Sequence, residues 1–224
     1  LILLSGRVAG QMVLQRQEER YAANYDALTG LPNRRAILAD LGQCFALAKR
    51  TRQSILVAFI DMDEFKTIND TYGHEIGDKF LVEVARRLSA GLHPGDVPGR
   101  WGGDEFIVIR LAAPSRPDAP DEAAAVMRRQ LAPLLIGTYV FAGCSFDYPG
   151  ASFGVATVDP SASSLQAALQ EADRLMYADK QARRALRLRV TPRPSVRSEP
   201  VDLIAGRASR PESAGSASPP LSGR

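Results

Sequence analysis

"RWGGDEFIVI", Arg100 to Ile109, places two glycines and two acids directly ahead of an apolar run. Adjacent like charges repel, and a carboxylate held against buried surface loses hydration. Asp104 and Glu105 therefore read either as an ordinary polar turn or as the seat of a cation. The flanking stretches "DVPGRW" and "EFIVIR" have strand character, and Gly102-Gly103-Asp104 between them is a hairpin signal. Upstream, "SILVAFID" (54–61) reads as a buried strand that ends in an acid. If this strand pairs with the hairpin, Asp61 and Asp104 converge on one edge. Asp63, two residues on, shares the face of Asp61 if the strand continues. Converging carboxylates raise one another's pKa, and a hard divalent ion with oxygen ligands, such as Mg2+, removes the conflict.

Around this centre the chain reads as alternating helices and strands. Residues 8–25 suggest a helix with a charged middle, and "DALTGLPNRR" (26–35) is a turn in which Asn33 can cap the next helix. Residues 34–50 are helical, with Ile37, Leu41, Phe45 and Ala48 on one face. "MDEFKTINDTYGHEIGD" (62–78) reads as a polar loop with a short turn. Residues 78–90 form a helix with a stripe of Leu81, Val84, Ala85 and Leu88, closed by Gly91. Residues 120–135 form another helix. "TYVFAGCSF" and "ASFGVATV" read as two strands joined by "DYPG", and 164–187 as a last amphipathic helix. Hairpins among the alternating elements predict an α+β fold with a mixed, largely antiparallel sheet. A ferredoxin-like, palm-type core with helices against one face fits this order.

The chain has 224 residues, a formal net charge of +3 and a pI near 9.0. From Arg183 onward nine Arg stand against three acids, so that segment is +6 and residues 1–182 are about −3. The basic pI belongs to the tail and does not argue for nucleic-acid binding. Cys44 and Cys144 are too few for a disulfide framework, and His74 and His93 are too few for a histidine-rich metal site. A reduced, cytoplasmic setting is the default. Residues 191–224 hold seven Ser and six Pro with no apolar period, which predicts a disordered tail. The opening "LILLSGRVAGQ" is too short to span a bilayer. It reads either as the stub of an upstream membrane or sensor segment or as a frayed apolar helix start. The former would tether the domain at the inner face of the membrane.

Several polar residues near the acids have ligand-binding character. Lys66 suits a phosphate, as do exposed backbone N–H groups of its loop. Asn69 and Asp78 suit a purine edge, because an amide both donates and accepts while a carboxylate accepts from guanine N1–H and N2–H. Singly, each is more often a surface lysine or a helix cap.

"DALTGLPNR", "FIDMDEFKTINDTYGHEIGDKFL", "RWGGDEF", "SFGVA" and "ADRLMYADK" together resemble the GGDEF family of diguanylate cyclases in order and spacing. The likeness runs from about Asp26 to Arg184. It implies a nucleotidyl-cyclase palm fold and condensation of two GTP into cyclic di-GMP with loss of two pyrophosphates, using Mg2+ or Mn2+. It implies that Asp61, Asp104 and the Met62 backbone carbonyl are metal ligands, and that Glu105 binds metal or activates the attacking 3′-hydroxyl. Asn69 and Asp78 match the guanine-reading positions. Lys66, with backbone N–H groups around Glu64 and Phe65, matches the phosphate loop. Lys180 and Arg184 match basic positions that reach the terminal phosphates. Gly102 and Gly103 are expected to let the backbone approach the nucleotide. Asp63 and His74 are assigned loop-stabilising roles. Asp26, Thr29, Asn33 and Arg34 match the opening motif, which links the preceding helix to the domain.

One domain holding one GTP implies a homodimer with facing active sites, its assembly controlled by the N-terminal helix. The organisation expected is a linker or signalling helix at 1–24, a catalytic domain at 25–188 and a tail at 189–224. A catalytically weak domain acting as a GTP-binding or cyclic-di-GMP-related regulatory module is the alternative, although the hairpin acids are retained.

Two departures stand out. Where many members carry an inhibitory product site of the form Arg-x-x-Asp, this chain has His93-Pro94-Gly95-Asp96. Neutral His cannot form the bidentate fork of Arg, so product inhibition is expected to be weak or absent. On the last helix Arg183 stands where the family often has Gly, one residue before Arg184.

Overall fold

A computed structural model describes residues 21–113 and 122–189. The expected N-terminal helix, except for its last turn at 21–24, the Ser/Pro-rich tail and the membrane stub lie outside the described residues. The element order is α1 (Arg34–Thr51), β1 (Ser54–Asp61), α2 (Phe65–Tyr72), α3 (His74–Gly91), β2 (Val97–Arg100), β3 (Glu105–Ala112), α4 (Glu122–Leu135), β4 (Gly137–Phe141), β5 (Cys144–Tyr148), β6 (Ser152–Val158) and α5 (Leu165–Arg189).

The main sheet has the order β2-β3-β1-β6, and its strand pairs are antiparallel. β1 lies at the centre, and each of its residues is buried. Its even positions Leu56, Ala58 and Ile60 pack with Phe80, Leu81, Val84 and Leu88 of α3 and Met127 and Leu131 of α4. Its odd positions Ile55, Val57 and Phe59 pack with Ile37 and Leu41 of α1 and Ala168, Ala172 and Met176 of α5. The helices therefore cover both faces, not one. The α3 and α4 layer is the ferredoxin-like part. The second layer is required because an eight-residue strand apolar on both faces cannot leave either in water.

Local chemistry sets the ends. Asn33 Oδ1 accepts the Arg35 and Ala36 N–H groups at 3.0 and 3.1 Å and starts α1. The 62–78 stretch is not a loop. It holds α2 and the first turn of α3, separated at Gly73, whose φ is +85°. α2 buries only Ile68, so no apolar period announces it. "TYVFAGCSF" is also not one strand but the hairpin β4-β5, turning at Gly143 (φ +85°) and forming a separate two-stranded sheet. It packs through Tyr139, Phe146 and Tyr148 around Phe80, with ring centroids 4.7 to 5.8 Å from it.

α5 lies directly on β6. A methyl group at Gly154 would sit 2.0 Å from the Ala172 carbonyl oxygen and 2.2 Å from the Met176 nitrogen. This contact brings the polar end of α5 to the end of β1.

Candidate active site

Strand parity places the first two acids. Asp61 pairs with Glu105 across the β1-β3 ladder, and both fall in the odd register that faces α5. Asp104 precedes Glu105 in the turn, and its carbonyl accepts the Met62 N–H at 3.0 Å. The hairpin and the end of β1 are thus tied at the point where the acids gather.

The electrostatics match this crowding. Burial raises the Asp104 carboxyl above its ordinary value, and the Asp61 charge adds to the effect. Burial likewise raises Glu105, reinforced by Asp61, Asp104 and Asp173 and opposed by Lys180. Lys180 Nζ lies 2.7 Å from Asp61 Oδ2. The other Asp61 oxygen, Oδ1, is buried without a hydrogen-bond partner. Among the described residues no three acidic, His or Cys side chains form a closed metal cluster. An orphaned buried carboxylate oxygen beside two carboxyls raised by desolvation is nonetheless a donor set that fits a hard divalent cation. The Met62 carbonyl, assigned to the same set, also accepts the Phe65 N–H at 3.3 Å.

The two glycines differ in function. A Cβ on Gly102 would lie 2.9 Å from Glu105 Oε2, so Gly102 makes room for the Glu105 carboxylate itself. Gly103 faces open space. Its carbonyl accepts Arg100 Nε and Nη2 at 3.2 and 2.7 Å, while Arg100 Nη1 reaches Asp26 Oδ1 at 2.9 Å. Burial opposes ionisation of Asp26, but hydrogen bonds from Arg100 and Thr29 outweigh it and hold the carboxyl below its ordinary value. The opening motif thus braces the hairpin turn through Arg100, a residue that sequence reasoning missed.

Beyond the acids, Glu64 adopts φ +60° and α2 begins at Phe65 without a side-chain cap. Lys66 is exposed on its first turn. Asn69 lies over Gly77 of α3, where an added Cβ would be 1.9 Å from Asn69 Oδ1 and 3.4 Å from the Phe65 ring. Asp78 is the next residue and is exposed. Gly77 thus lets Asn69 and Phe65 close onto the start of α3. Its signal in the sequence was a helix-interior glycine with no other reason to be there. Asp78 also lines an open groove of about 680 Å3 with Leu28, Lys79, Arg87 and Phe141.

α5 supplies the cations. Besides Lys180, Arg183 Nε lies 2.6 Å and Arg187 Nη2 3.3 Å from Asp63 Oδ2, and Ser152 Oγ donates to Asp63 Oδ1 at 2.6 Å. Lys180 thus sits on a carboxylate in this structure, while Arg184 is exposed. His93 is exposed, and its backbone N–H donates to Asp96 Oδ2 at 3.0 Å. Arg110 grips the two Asp96 oxygens at 2.8 and 2.7 Å. Among the described residues no helix is long and apolar enough to cross a membrane.

The family model described as "Diguanylate cyclase, GGDEF domain" matches residues 23–185. Diguanylate cyclase DgcP of Escherichia coli (strain K12) is 42% identical over 155 residues, covering 69% of this chain and 44% of that protein. The chain spans less than half the length of the curated relatives it matches. A sensory box/GGDEF family protein from Caulobacter crescentus CB15 superposes with TM-score 0.64 at 33% identity, covering 71% of this chain and 99% of that one. The coiled coil and GGDEF domain of DgcB from Caulobacter crescentus, solved in complex with c-di-GMP, superposes with TM-score 0.63 at 28% identity, covering 80% and 95%. With its hairpin acids and its antiparallel palm matched over residues 23–185, the chain belongs to the GGDEF-domain family of diguanylate cyclases.

Proposed function

We propose that residues 25–188 form a catalytic domain that condenses two GTP into cyclic di-GMP and two pyrophosphates. The observation that carries this reading is the meeting of Asp61, Asp104 and Glu105 beside the start of α2, with Asp61 Oδ1 buried and unpartnered. Asp61, Asp104, Glu105 and the Met62 carbonyl would hold Mg2+ or Mn2+. Such an ion, when bound, offsets negative charge on the α-phosphate and makes the 3′-hydroxyl more acidic. Asn69 and Asp78 hold the guanine edge. Lys66 and the N–H groups opening α2 take phosphate oxygens, and Lys180 and Arg184 take the terminal ones.

Glu105, opposite Asp61 across the ladder, serves either as a ligand of this ion or as the acceptor of the 3′-hydroxyl proton. In each of two steps a 3′-oxygen bonds to the α-phosphorus of the other GTP, and the bond to the pyrophosphate leaving group breaks. One site holds one nucleotide, so two domains must face each other. The working form is therefore a homodimer, its assembly controlled by the N-terminal helix.

We further propose that turnover proceeds without product inhibition. His93 replaces the arginine of the inhibitory pattern, and both oxygens of Asp96 are already held by Arg110. Purified protein with GTP and Mg2+, its products separated chromatographically, tests the activity. Cyclic di-GMP should form, and Asp104→Ala should abolish it while the circular-dichroism spectrum is retained. No product at high concentration, including from an artificially dimerised form, refutes the reading and favours a regulatory GTP-binding module.

A further inference from the structure

We infer that Arg183 is a positioning residue for the substrate phosphates, acting through Asp63 and the turn that leads into α2. The inference rests on the GTP site proposed above. Asp63 is a buried carboxylate. Its Oδ1 accepts Ser152 Oγ at 2.6 Å, and its Oδ2 accepts Arg183 Nε at 2.6 Å and Arg187 Nη2 at 3.3 Å. Arg187 Nη1 also pairs with Glu64. A buried carboxylate with this many charged donors is a fixed point.

What it fixes is a turn under strain. Glu64 has φ +60°, a left-handed conformation that costs a non-glycine residue free energy and persists only where the surroundings impose it. The next residues, Phe65 and Lys66, open α2, and Glu64 provides no side-chain cap there. The direction of the α2 N-terminus, and hence of its phosphate-facing N–H groups, follows from how residues 62–64 are held.

Arg183 is the arm best placed to hold them. Its Nη2 reaches the Pro149 carbonyl at 3.5 Å, so the guanidinium bridges Asp63 to the turn between β5 and β6. Gly150 leaves room for it: with φ +117°, a Cβ there would lie 3.3 Å from Arg183 Nη2. Two of its three nitrogens, Nε and Nη2, are held by Asp63 and Pro149, which anchors the guanidinium in the protein and directs its effect through Asp63. The pattern this chain resembles often has Gly at this position, which can supply no such arm. Arg183 is in this sense a feature of this chain.

The test compares wild type with Arg183→Ala and Arg183→Lys. Affinity for a non-hydrolysable GTP analogue with Mg2+ is measured by calorimetry, alongside kcat, KM and amide hydrogen exchange in the nucleotide-free protein. Arg183→Ala should weaken analogue binding and raise KM about tenfold, as expected for losing one charge-assisted hydrogen bond's worth of positioning, with kcat within about twofold. Exchange should quicken at residues 62–66 and stay unchanged in β1. Arg183→Lys should recover part of the affinity. Unchanged analogue binding, or a uniform loss of protection across the domain, overturns the inference. If wild type itself binds no GTP analogue, the proposed function fails and the phosphate role with it. Exchange at 62–66 then still decides whether Arg183 holds the turn.

Discussion

Lys180 Nζ and Asp61 Oδ2 lie 2.7 Å apart although 119 residues separate them in the chain. The pair is mostly shielded, with side-chain exposures of 23% and 7%. Lys180 thus supplies the positive charge that Asp61 needs when the acids stand alone. Lys180→Met should therefore destabilise the metal-free protein by about 1–3 kcal/mol, since it strands a buried carboxylate. Added Mg2+ should recover more of that loss than it adds to wild-type stability, because no ammonium on Asp61 then repels the entering cation. Denaturant unfolding with and without Mg2+ measures both. Equal Mg2+ stabilisation of the two proteins contradicts the assignment.

The acids themselves predict a pH signature. Glu105 and Asp104 are raised in the folded protein by burial and by the charge of Asp61, and Glu105 by Asp104 as well. Folded protein then keeps protons that the unfolded chain has released. Stability contributed by these groups accordingly falls as pH climbs from about 4 through their raised values. Glu105→Gln should unfold at a higher temperature than wild type at pH 7 in the presence of chelator, with the difference shrinking towards pH 4. Its turnover should be lost. Calorimetric melting at the two pH values checks the sign.

Arg100 braces the turn that carries the acids. Its guanidinium holds the Gly103 carbonyl and is held in turn by Asp26. Arg100→Ala should lower turnover by about tenfold to a hundredfold, because small misplacement of reacting groups has that effect. Arg100→Lys should recover little, lacking the fork. Steady-state kinetics under saturating GTP separates this from a binding defect.

Restoring the inhibitory arginine should not restore inhibition. Both Asp96 oxygens are engaged by Arg110, which also donates to Gln130 Oε1 at 2.7 Å. His93→Arg alone should leave turnover insensitive to micromolar cyclic di-GMP. His93→Arg combined with Arg110→Leu should show inhibition. Product titration of the two variants is decisive.

Tyr148 gives a stability prediction independent of the site. Its hydroxyl is buried without a hydrogen-bond partner, beside the rings of Phe80 and Tyr139. Burial, together with the charge of Asp63, holds that hydroxyl far above the usual tyrosine range. Tyr148→Phe should raise unfolding free energy by about 0.5–1 kcal/mol, since it removes an unmet polar group while keeping the ring. Urea denaturation reads this directly.

Much of this arrangement was legible from local pattern. β1, the β2-β3 hairpin and the stripe of α3 follow from apolar runs, glycines and period. Asp61 and Asp104 follow from acids at strand ends. α2 was hidden because one buried residue, Ile68, makes no period, and the β4-β5 turn because Gly143 interrupts a run that otherwise looks continuous. The second helical layer could have been argued from β1, whose alternate residues are apolar on both faces. The bonds Lys180–Asp61, Arg183–Asp63 and Arg110–Asp96 join distant positions, and nothing in the neighbourhood of either partner announces the other. Charge sign makes such a pair possible, and only the packing of α5 and the sheet selects it.

The bare α-carbon of Gly154 carries a mechanical consequence. Because α5 rests on the strand backbone there, the height of the whole helix above the sheet is fixed by the thickness of two main chains. Lys180, Arg183 and Arg187 hang from that one rod at successive turns. A single methyl at residue 154 would lift the three together, like a shim under a lever, detuning Asp61 and Asp63 at once without altering any polar atom. A change at this one glycine of "SFGVA" can thus silence the centre while every charged residue of the site stays in place.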